Sequence, residues 1–457
     1  MMIMMIIIGK DILLQGGNSI DAAIAATLCL GVLSPISSGL GGGCFILIHN
    51  HSTNTNIFID SREVAPLSTY PDIFINQSIK AQNGGLAIAV LGELKGLYYI
   101  YENYSNKKIK WKDLVLPSAK LAESWIISSE LAYTMNKEVS NELKSGEFPL
   151  LSELYVNKDT GKLKQEGDEV KQPILANTLR MISEYGSSYI YDTMINDIVN
   201  DINEAGGNMT YDDIRNYNII SYPAIETQIF GFTYLSVGGS SSGGPVVAGI
   251  LKFMSSYVEP IVIQSYLYYH HLIEAMKHTF AIRLFLGDPL FVNITGPTNA
   301  LLSDEYMRNL QIYNTNDNYV QSSINQYGGN EYNIDESSSS SLPTDHGTTH
   351  LSVIDSEGNA VSLTSTINTY FGSKVISKST GMYNNRCWTI IIIFIIIINN
   401  AIDSTIIIIV IKHHCIIIII SIQHHNHLHT TSSSSSPSST LPPSSSSSSY
   451  TSSSIII

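Results

Sequence analysis

Four features of this sequence of 457 residues could take part in chemistry: its histidines, its cysteines, its hydroxyl side chains and one Gly-rich loop. The four cysteines show no CxxC or other zinc-binding spacing, and Cys29 and Cys44 are interpreted as small buried apolar residues. Histidines cluster at 413–414 and 424–429, inside low-complexity sequence that offers no frame to position ligands. The sequence therefore predicts no metal and no organic cofactor.

The Gly-rich loop SGLGGG, at 38–43, has the composition of a phosphate-binding loop. It runs into a predicted strand, Cys44–Ile48, whereas P-loops and dinucleotide-binding motifs lead into a helix. The pattern therefore favours close packing of backbone against backbone over phosphate binding.

A predicted hairpin brings two threonines together. Residues Thr349–Asp355 and Asn359–Ile367 alternate apolar and polar side chains around a three-residue turn that ends in Gly358. In this register Thr348 lies opposite Thr366, while a two-residue turn would shift the pairing by one position. Taken singly, both threonines are typical strand residues.

The elements around these residues follow from apolar periodicity. Asn18 or Ser19 is predicted to cap a buried helix over Ala22–Leu33, with Asp21 at its positive end. The strand Cys44–Ile48 is expected to pair with Asn56–Asp60. Further helices are predicted at Pro117–Ser124, Ser129–Glu142, Ile174–Tyr185, Tyr189–Glu204, Val246–Met254 and Tyr268–Leu286, and a strand at Thr227–Val237. Pro117 is expected at a first helical position.

Charge and hydropathy exclude some classes of protein. With 39 acidic and 25 basic residues, a net charge of −14 argues against nucleic acid as a partner. The longest apolar run, Ile390–Ile398, is too short for a membrane span of about 20 residues. Five N-x-S/T sequons, the first at Asn50, are weak indications of a secretory route. The Ser-rich segment 327–347 is predicted to be a mobile surface loop.

Between about Gly9 and Asn385 the sequence contains, in chain order, the motifs GGNSIDAAIAA, SGLGGGCFIL, IDSREVAP, NGGLAIAV-x-GE, YHHLIEAMK, LGDP and GTTHLSV. Together and in this order they resemble the motifs of the gamma-glutamyltransferase, or glutathione hydrolase, family. The resemblance implies an α+β fold, an αββα sandwich of the N-terminal nucleophile hydrolase type whose small-subunit part is incomplete. It divides the chain into a large-subunit-like region at 9–347 and the start of a small-subunit-like region at 348–385. Residues 386–457 are interpreted as low-complexity sequence, disordered or not truly coding.

The resemblance also implies a self-cleaving proenzyme that is cut between Gly347 and Thr348. The freed α-amine, with an ordinary pKa near 7.7–8.0, would act as the base for the Thr348 hydroxyl. Thr348 would then form a γ-glutamyl ester from glutathione and pass it to water or to an amino-acid or dipeptide acceptor. Thr366 would orient the amine, Arg62 would hold the substrate α-carboxylate by a bidentate fork, and Asn368 would contact the glutamyl group. Without the resemblance, Arg62 would be interpreted as the partner of Glu63 in a surface ion pair.

Partners and location follow from the same resemblance. Glutathione, other γ-glutamyl compounds and acceptors would be the partners, with a large and a small subunit made from one precursor. The location would be the plasma membrane or the extracellular space, although no signal or anchor is visible in the sequence.

The match to the family weakens after Asn385, so the chain is interpreted as truncated at both ends. The carboxylate-bearing stretch, the Ser-Ser pair and the Gly-Gly oxyanion loop of the family have no counterpart there. Two alternatives therefore stay open: a catalytically inactive member of the family, or a related acylase, which Arg62 disfavours.

Overall fold

A computed structural model describes residues 2–70, 72–257, 265–321, 323–332, 347–386, 396–398 and 416–421. The histidine clusters at 413–414 and 424–429, and most of the Ser-rich segment 327–347, lie outside these ranges.

Eleven strands are present in the described ranges: β1 Gly43–Asn50, β2 Thr55–Ser61, β3 Trp125–Ile126, β4 Glu169–Val170, β5 Ile220–Pro223, β6 Ile225–Ile229, β7 Phe232–Ser236, β8 Thr348–Ile354, β9 Ala360–Thr366, β10 Ile396–Ile398 and β11 Ile416–Ser421. They form a six-stranded sheet with the order β11-β8-β9-β1-β2-β5 and a three-stranded sheet with the order β10-β7-β6. The short strands β3 and β4 pair with each other. Strands β10 and β11 both lie in the region 386–457.

The register of the hairpin formed by β8 and β9 is the one the sequence predicts. Thr348 pairs with Thr366 and Ile354 with Ala360, which confirms the three-residue turn. Strand β1 pairs with β9 on one side, Gly43 opposite Thr366, and with β2 on the other. Because β9 is central, Thr366 is held by neighbours on both sides.

The helices are α1 Met2–Leu14, α2 Ser19–Leu33, α3 Glu93–Tyr104, α4 Trp111–Glu123, α5 Ser129–Lys137, α6 Ser140–Lys144, α7 Pro149–Tyr155, α8 Pro173–Tyr185, α9 Ile195–Glu204, α10 Tyr211–Arg215, α11 Gly243–Ser255, α12 Tyr266–Arg283, α13 Thr295–Leu302 and α14 Asp304–Asn314. Short 3₁₀ turns occupy Ser78–Ala81, Gly85–Ala87 and Ile324–Gln326, and Tyr189–Thr193 is a π-helical turn. None of the helices in the described ranges is long and apolar enough to span a bilayer.

Some helix boundaries differ from the predictions. Pro117 lies inside α4 instead of at its start, since buried Trp111 begins that helix and donates its indole N–H to the Ile182 carbonyl oxygen at 2.8 Å. The predicted helix Ser129–Glu142 is two helices, α5 and α6, and the predicted strand Thr227–Val237 turns at Phe230 to become β6 and β7.

Two helical layers enclose the sheets, which confirms the αββα sandwich. Every residue of α2 is buried, and the helix packs on β8 and β9. Its cap is Asn18, which forms a reciprocal capping box with Asp21. On the opposite side, α11 covers the three-stranded sheet through Val247 and Ala248.

The two sheets meet through a small apolar core. Phe45, Leu47 and Phe58 of the larger sheet pack against Leu235 and Val237 at the β7 end of the smaller one. Alternate residues of β1 point the other way, into the main core beneath α2.

The Gly-rich loop packs backbone against backbone, as its sequence predicts. A Cβ atom on Gly41 or Gly42 would lie 2.2 Å from the Tyr383 or the Thr366 carbonyl oxygen, respectively. One on Gly43 would lie 2.6 Å from the Glu63 amide nitrogen. The start of β1 therefore sits where three other segments converge.

Candidate active site

Thr348 and Thr366 face each other at the end of the hairpin formed by β8 and β9. The Thr348 hydroxyl donates to Thr366 Oγ1 at 3.3 Å, and the Thr366 hydroxyl donates to the Gly347 carbonyl oxygen at 2.6 Å. These two bonds form a line from the predicted nucleophile to the carbonyl of the predicted cleavage bond.

Asn368 fixes the direction of this line. Asn368 lies just beyond the end of β9 and has a positive φ of 74°. Its backbone N–H donates to Thr366 Oγ1 at 2.8 Å. Because Thr366 Oγ1 already accepts bonds from Thr348 and Asn368, its own proton is directed to Gly347.

Gly347 occupies a position that only glycine fits easily. Its φ is +91°, in the left-handed region, and a Cβ atom there would lie 2.5 Å from the Ile36 carbonyl oxygen. The tight fit holds the Gly347–Thr348 peptide against the loop that follows α2.

Arg62 and Glu63 form a largely buried ion pair beside Asn368. Arg62 donates to the Glu63 carboxylate from Nη2 at 2.6 Å and from Nε at 3.1 Å, and from Nη2 to Asn368 Oδ1 at 2.8 Å. Asn368 Nδ2 in turn donates to Glu63 Oε1 at 2.5 Å. The ion pair that the isolated sequence suggests for Arg62 therefore exists, and Glu63 occupies one edge of its guanidinium.

The remaining nitrogen of that guanidinium, Nη1, is buried and has no hydrogen-bond partner among the described residues. A buried cationic donor without a partner is costly, so an anionic ligand there would be favoured. The structure thus brings all four predicted site residues, Arg62, Thr348, Thr366 and Asn368, into one hydrogen-bonded group.

His350 is a buried residue of β8 whose imidazole is hydrogen-bonded inside the sheet. Burial lowers the pKa of its imidazole to about 3, so the ring is neutral, and its Nδ1 lies 2.7 Å from Thr364 Oγ1. It lies on the same face of the sheet as Thr348, two residues further along β8, and its ring nitrogens are engaged by Thr364 and Ser352.

Glu93 lies beneath the site, and sequence reasoning did not single it out. Its side chain is fully buried at the start of α3, and Ser365, the neighbour of Thr366, donates a hydrogen bond to it. Burial raises the pKa of this carboxyl to about 7, against the opposing effect of the Ser365 bond. Glu93 belongs to the quoted GE motif, but a single sequence does not show that a carboxyl is buried.

The described residues form no candidate metal site. Among the residues that the structure describes, no group of three or more His, Cys, Asp or Glu side chains is placed to hold an ion.

Comparison with known proteins gives a consistent set of matches. A family model described as Gamma-glutamyltranspeptidase matches residues 7–394. Glutathione hydrolase 2 of Arabidopsis thaliana is 41% identical over 381 residues, covering 83% of this chain and 63% of that protein. Glutathione hydrolase proenzyme 1 of Schizosaccharomyces pombe is 32% identical over 400 residues, covering 83% and 58%.

A solved structure agrees with these matches. The Helicobacter pylori gamma-glutamyltranspeptidase superimposes with a TM-score of 0.61 at 29% identity, over 66% of this chain and 87% of that one. The chain spans about three fifths of the length of the curated relatives it matches.

Proposed function

The chain belongs to the gamma-glutamyltranspeptidase family, and we propose that it is a self-cleaving γ-glutamyl transferase and glutathione hydrolase with Thr348 as its nucleophile. The observation that carries the proposal is the hydrogen-bonded line from Thr348 through Thr366 to the Gly347 carbonyl oxygen. Two relatives are named glutathione hydrolase and glutathione hydrolase proenzyme, which supports glutathione as the substrate and a precursor that is cleaved.

The first step in this proposal is cleavage of the precursor. Thr348 Oγ1 attacks the Gly347 carbonyl carbon, a carbon–oxygen bond forms, and the bond to the Thr348 nitrogen breaks as that nitrogen gains the hydroxyl proton. The Thr366 hydroxyl donates to the carbonyl oxygen as negative charge develops on it, which is the role of an oxyanion donor. Water then hydrolyses the ester and leaves a Gly347 carboxylate and a free Thr348 α-amine.

The second step uses the new N-terminus. The α-amine takes the proton of the Thr348 hydroxyl, which attacks the γ-glutamyl amide and releases the amine of the donor. The γ-glutamyl ester then passes to water or to an acceptor amino acid or dipeptide. Under this proposal 9–347 becomes a large subunit and Thr348 begins a small one.

Substrate recognition is assigned to Arg62 and Asn368. The buried Nη1 of Arg62 suits the α-carboxylate of a γ-glutamyl group, and Asn368 lies between Arg62 and Thr366 to contact the same group. Both side chains thereby link recognition to the nucleophile.

The test is to express the full chain beside a Thr348→Ala variant and to follow both by denaturing gel and intact mass. The proposal expects fragments that end at Gly347 and begin at Thr348 in the wild type only, with release of nitroaniline from γ-glutamyl-p-nitroanilide. An uncut and inactive chain would support the second candidate, an inactive member of the family, which the missing motifs after Asn385 favour. Faster release from a glutaryl amide would support the acylase alternative instead.

A further inference from the structure

A cavity of about 480 Å³ lies outside the candidate active site, and the reaction proposed above makes no use of it. It is bounded by α7, by β4, by the first turn of α8 and by the segment 376–381. None of the residues that line it is Arg62, Thr348, Thr366 or Asn368. Its volume is within the roughly 300–1,000 Å³ that is usual for small-molecule sites.

One part of the lining is aliphatic. Leu175 and Ile376 are buried. Leu150 and Leu154 are partly buried, and Ile174 is 43% exposed. Because these side chains leave apolar surface in contact with water, a ligand that covers them with apolar groups is favoured.

The other part of the lining carries charge. Lys158 forms an ion pair with Glu153 at 2.8 Å, and Lys171 forms one with Glu169 at 3.0 Å. Lys164 donates to the backbone carbonyl oxygen of Glu169 at 2.9 Å and forms no ion pair within the described ranges. With three lysines against two glutamates, the lining carries one positive charge in excess, although the whole chain has a net charge of −14.

The excess charge belongs to Lys164, because Glu169 is already engaged. One oxygen of the Glu169 carboxylate accepts from Ser124 and the other lies in the ion pair with Lys171. The carboxylate that is nearest along the chain is therefore not available to neutralise Lys164. An anion from outside the chain would gain a charge-assisted hydrogen bond there.

We propose that this cavity binds a medium-chain fatty carboxylate, with its carboxylate on Lys164 and its alkyl chain on the aliphatic part of the lining. At about 30 Å³ for each heavy atom, the share of one water molecule in the liquid, the cavity holds roughly 16 heavy atoms, enough for a carboxylate with about ten carbons.

Ligands with only one of these properties fit the lining less well. An uncharged alcohol of the same length would leave the Lys164 charge without a partner. A small anion such as acetate would leave the aliphatic side chains in contact with water.

The test titrates the full chain separately with acetate, hexanoate, octanoate and decanoate, each below its micellar concentration, and with decanol, by calorimetry and ligand-observed NMR. We expect saturable binding of decanoate with a dissociation constant of about 0.1 mM. Affinity should rise about fourfold with each two added carbons, since a half-buried CH₂ group contributes about twofold. Decanol should bind roughly tenfold more weakly than decanoate.

Variants place the ligand in the cavity. Lys164→Gln should weaken decanoate roughly tenfold and leave decanol unchanged, because it removes only the charge. Ile174→Ser should weaken decanoate about threefold through lost apolar contact. Lys112→Gln is the matched control, since that lysine is exposed, pairs with Glu184 and does not line the cavity, so the affinity should stay the same.

Absence of saturable decanoate binding by the folded wild type would overturn the proposal, and so would equal affinity for decanol. Equal weakening by Lys164→Gln and Lys112→Gln would show that the ligand does not bind at this cavity. An affinity that does not change with chain length would assign binding to the carboxylate alone and would also overturn it. Because the measurement is binding, the result does not depend on whether the chain cleaves itself.

Discussion

The Thr366 hydroxyl holds the candidate site together, because it accepts from Thr348 and Asn368 and donates to Gly347. Thr366→Val keeps the shape of the side chain and removes all three bonds. We expect cleavage at Gly347–Thr348 to slow by about 10²–10³, the usual cost of losing one oxyanion donor. The measurement is the rate of appearance of the cleaved fragments on a denaturing gel.

Thr366→Ser is the matched control, since it keeps the hydroxyl and should cleave within a few-fold of the wild type. Equal rates for the valine and serine variants would show that the hydroxyl does not take part.

Glu93 should make the stability of the fold depend on pH. Its folded pKa of about 7 is above the ordinary 4.5, so between these values the unfolded chain is ionised while the folded chain binds a proton. The proton bound by Glu93 therefore stabilises the folded state fully below pH 4.5, and this stabilisation is lost as the pH rises to about 7. The change amounts to about 3 kcal/mol.

Urea unfolding of the wild type and of Glu93→Gln at pH 5 and pH 7.5 measures this effect. The stability difference between the two proteins should shift by about 2 kcal/mol in favour of the variant between pH 5 and pH 7.5, since part of the full change lies outside this range. A difference that is the same at both values would mean that Glu93 does not titrate in this range.

At the scale of elements, α2 depends on its N-terminal cap. Asn18 accepts from the Asp21 N–H at 3.2 Å and donates from Nδ2 to the Tyr104 carbonyl oxygen at 2.9 Å, so it joins α2 to the end of α3. Asn18→Ala should lower the free energy of unfolding by about 1 kcal/mol, and by up to about 2 kcal/mol because both bonds are lost.

Asn18→Ser keeps the capping acceptor and should recover most of that loss. Chemical denaturation of the wild type, Asn18→Ala and Asn18→Ser under one set of conditions measures both differences in the free energy of unfolding. A serine variant no more stable than the alanine variant would assign the effect to the Tyr104 bond.

The elements also show what a single sequence reveals. The register that places Thr348 opposite Thr366 was predictable because alternation and a Gly-ended turn fix it locally. Pro117 was placed wrongly because the rule for proline is local, whereas the start of α4 is set by the burial of Trp111 against α8. The contacts of Arg62 with Asn368 and of Glu93 with Ser365 join residues hundreds of positions apart, and no local pattern carries that information.

At the scale of the whole molecule, the contact between the two sheets should be a main source of stability. Phe58 is fully buried there, stacks on Tyr222 with ring centroids 5.7 Å apart, and contacts Phe45 at 5.4 Å. Phe58→Ala should cost about 3–5 kcal/mol, because it removes a large side chain and leaves a cavity.

Phe291→Ala is the matched control, since that side chain is 85% exposed and its loss should change stability by less than about 0.5 kcal/mol. The comparison requires only thermal or urea unfolding of the two variants. Similar losses for both would mean that the sheets do not meet as described.

The convergence of three segments on Gly41, Gly42 and Gly43 has a genetic consequence. A missense change at these codons adds at least a Cβ atom, and at every one of the three that atom would meet backbone that belongs to another part of the chain. A library of all single variants should therefore contain three adjacent codons that tolerate only synonymous change. The flanking strand should accept conservative exchanges such as isoleucine for valine. Such a run of intolerance would come from chain packing alone, without any contact to substrate.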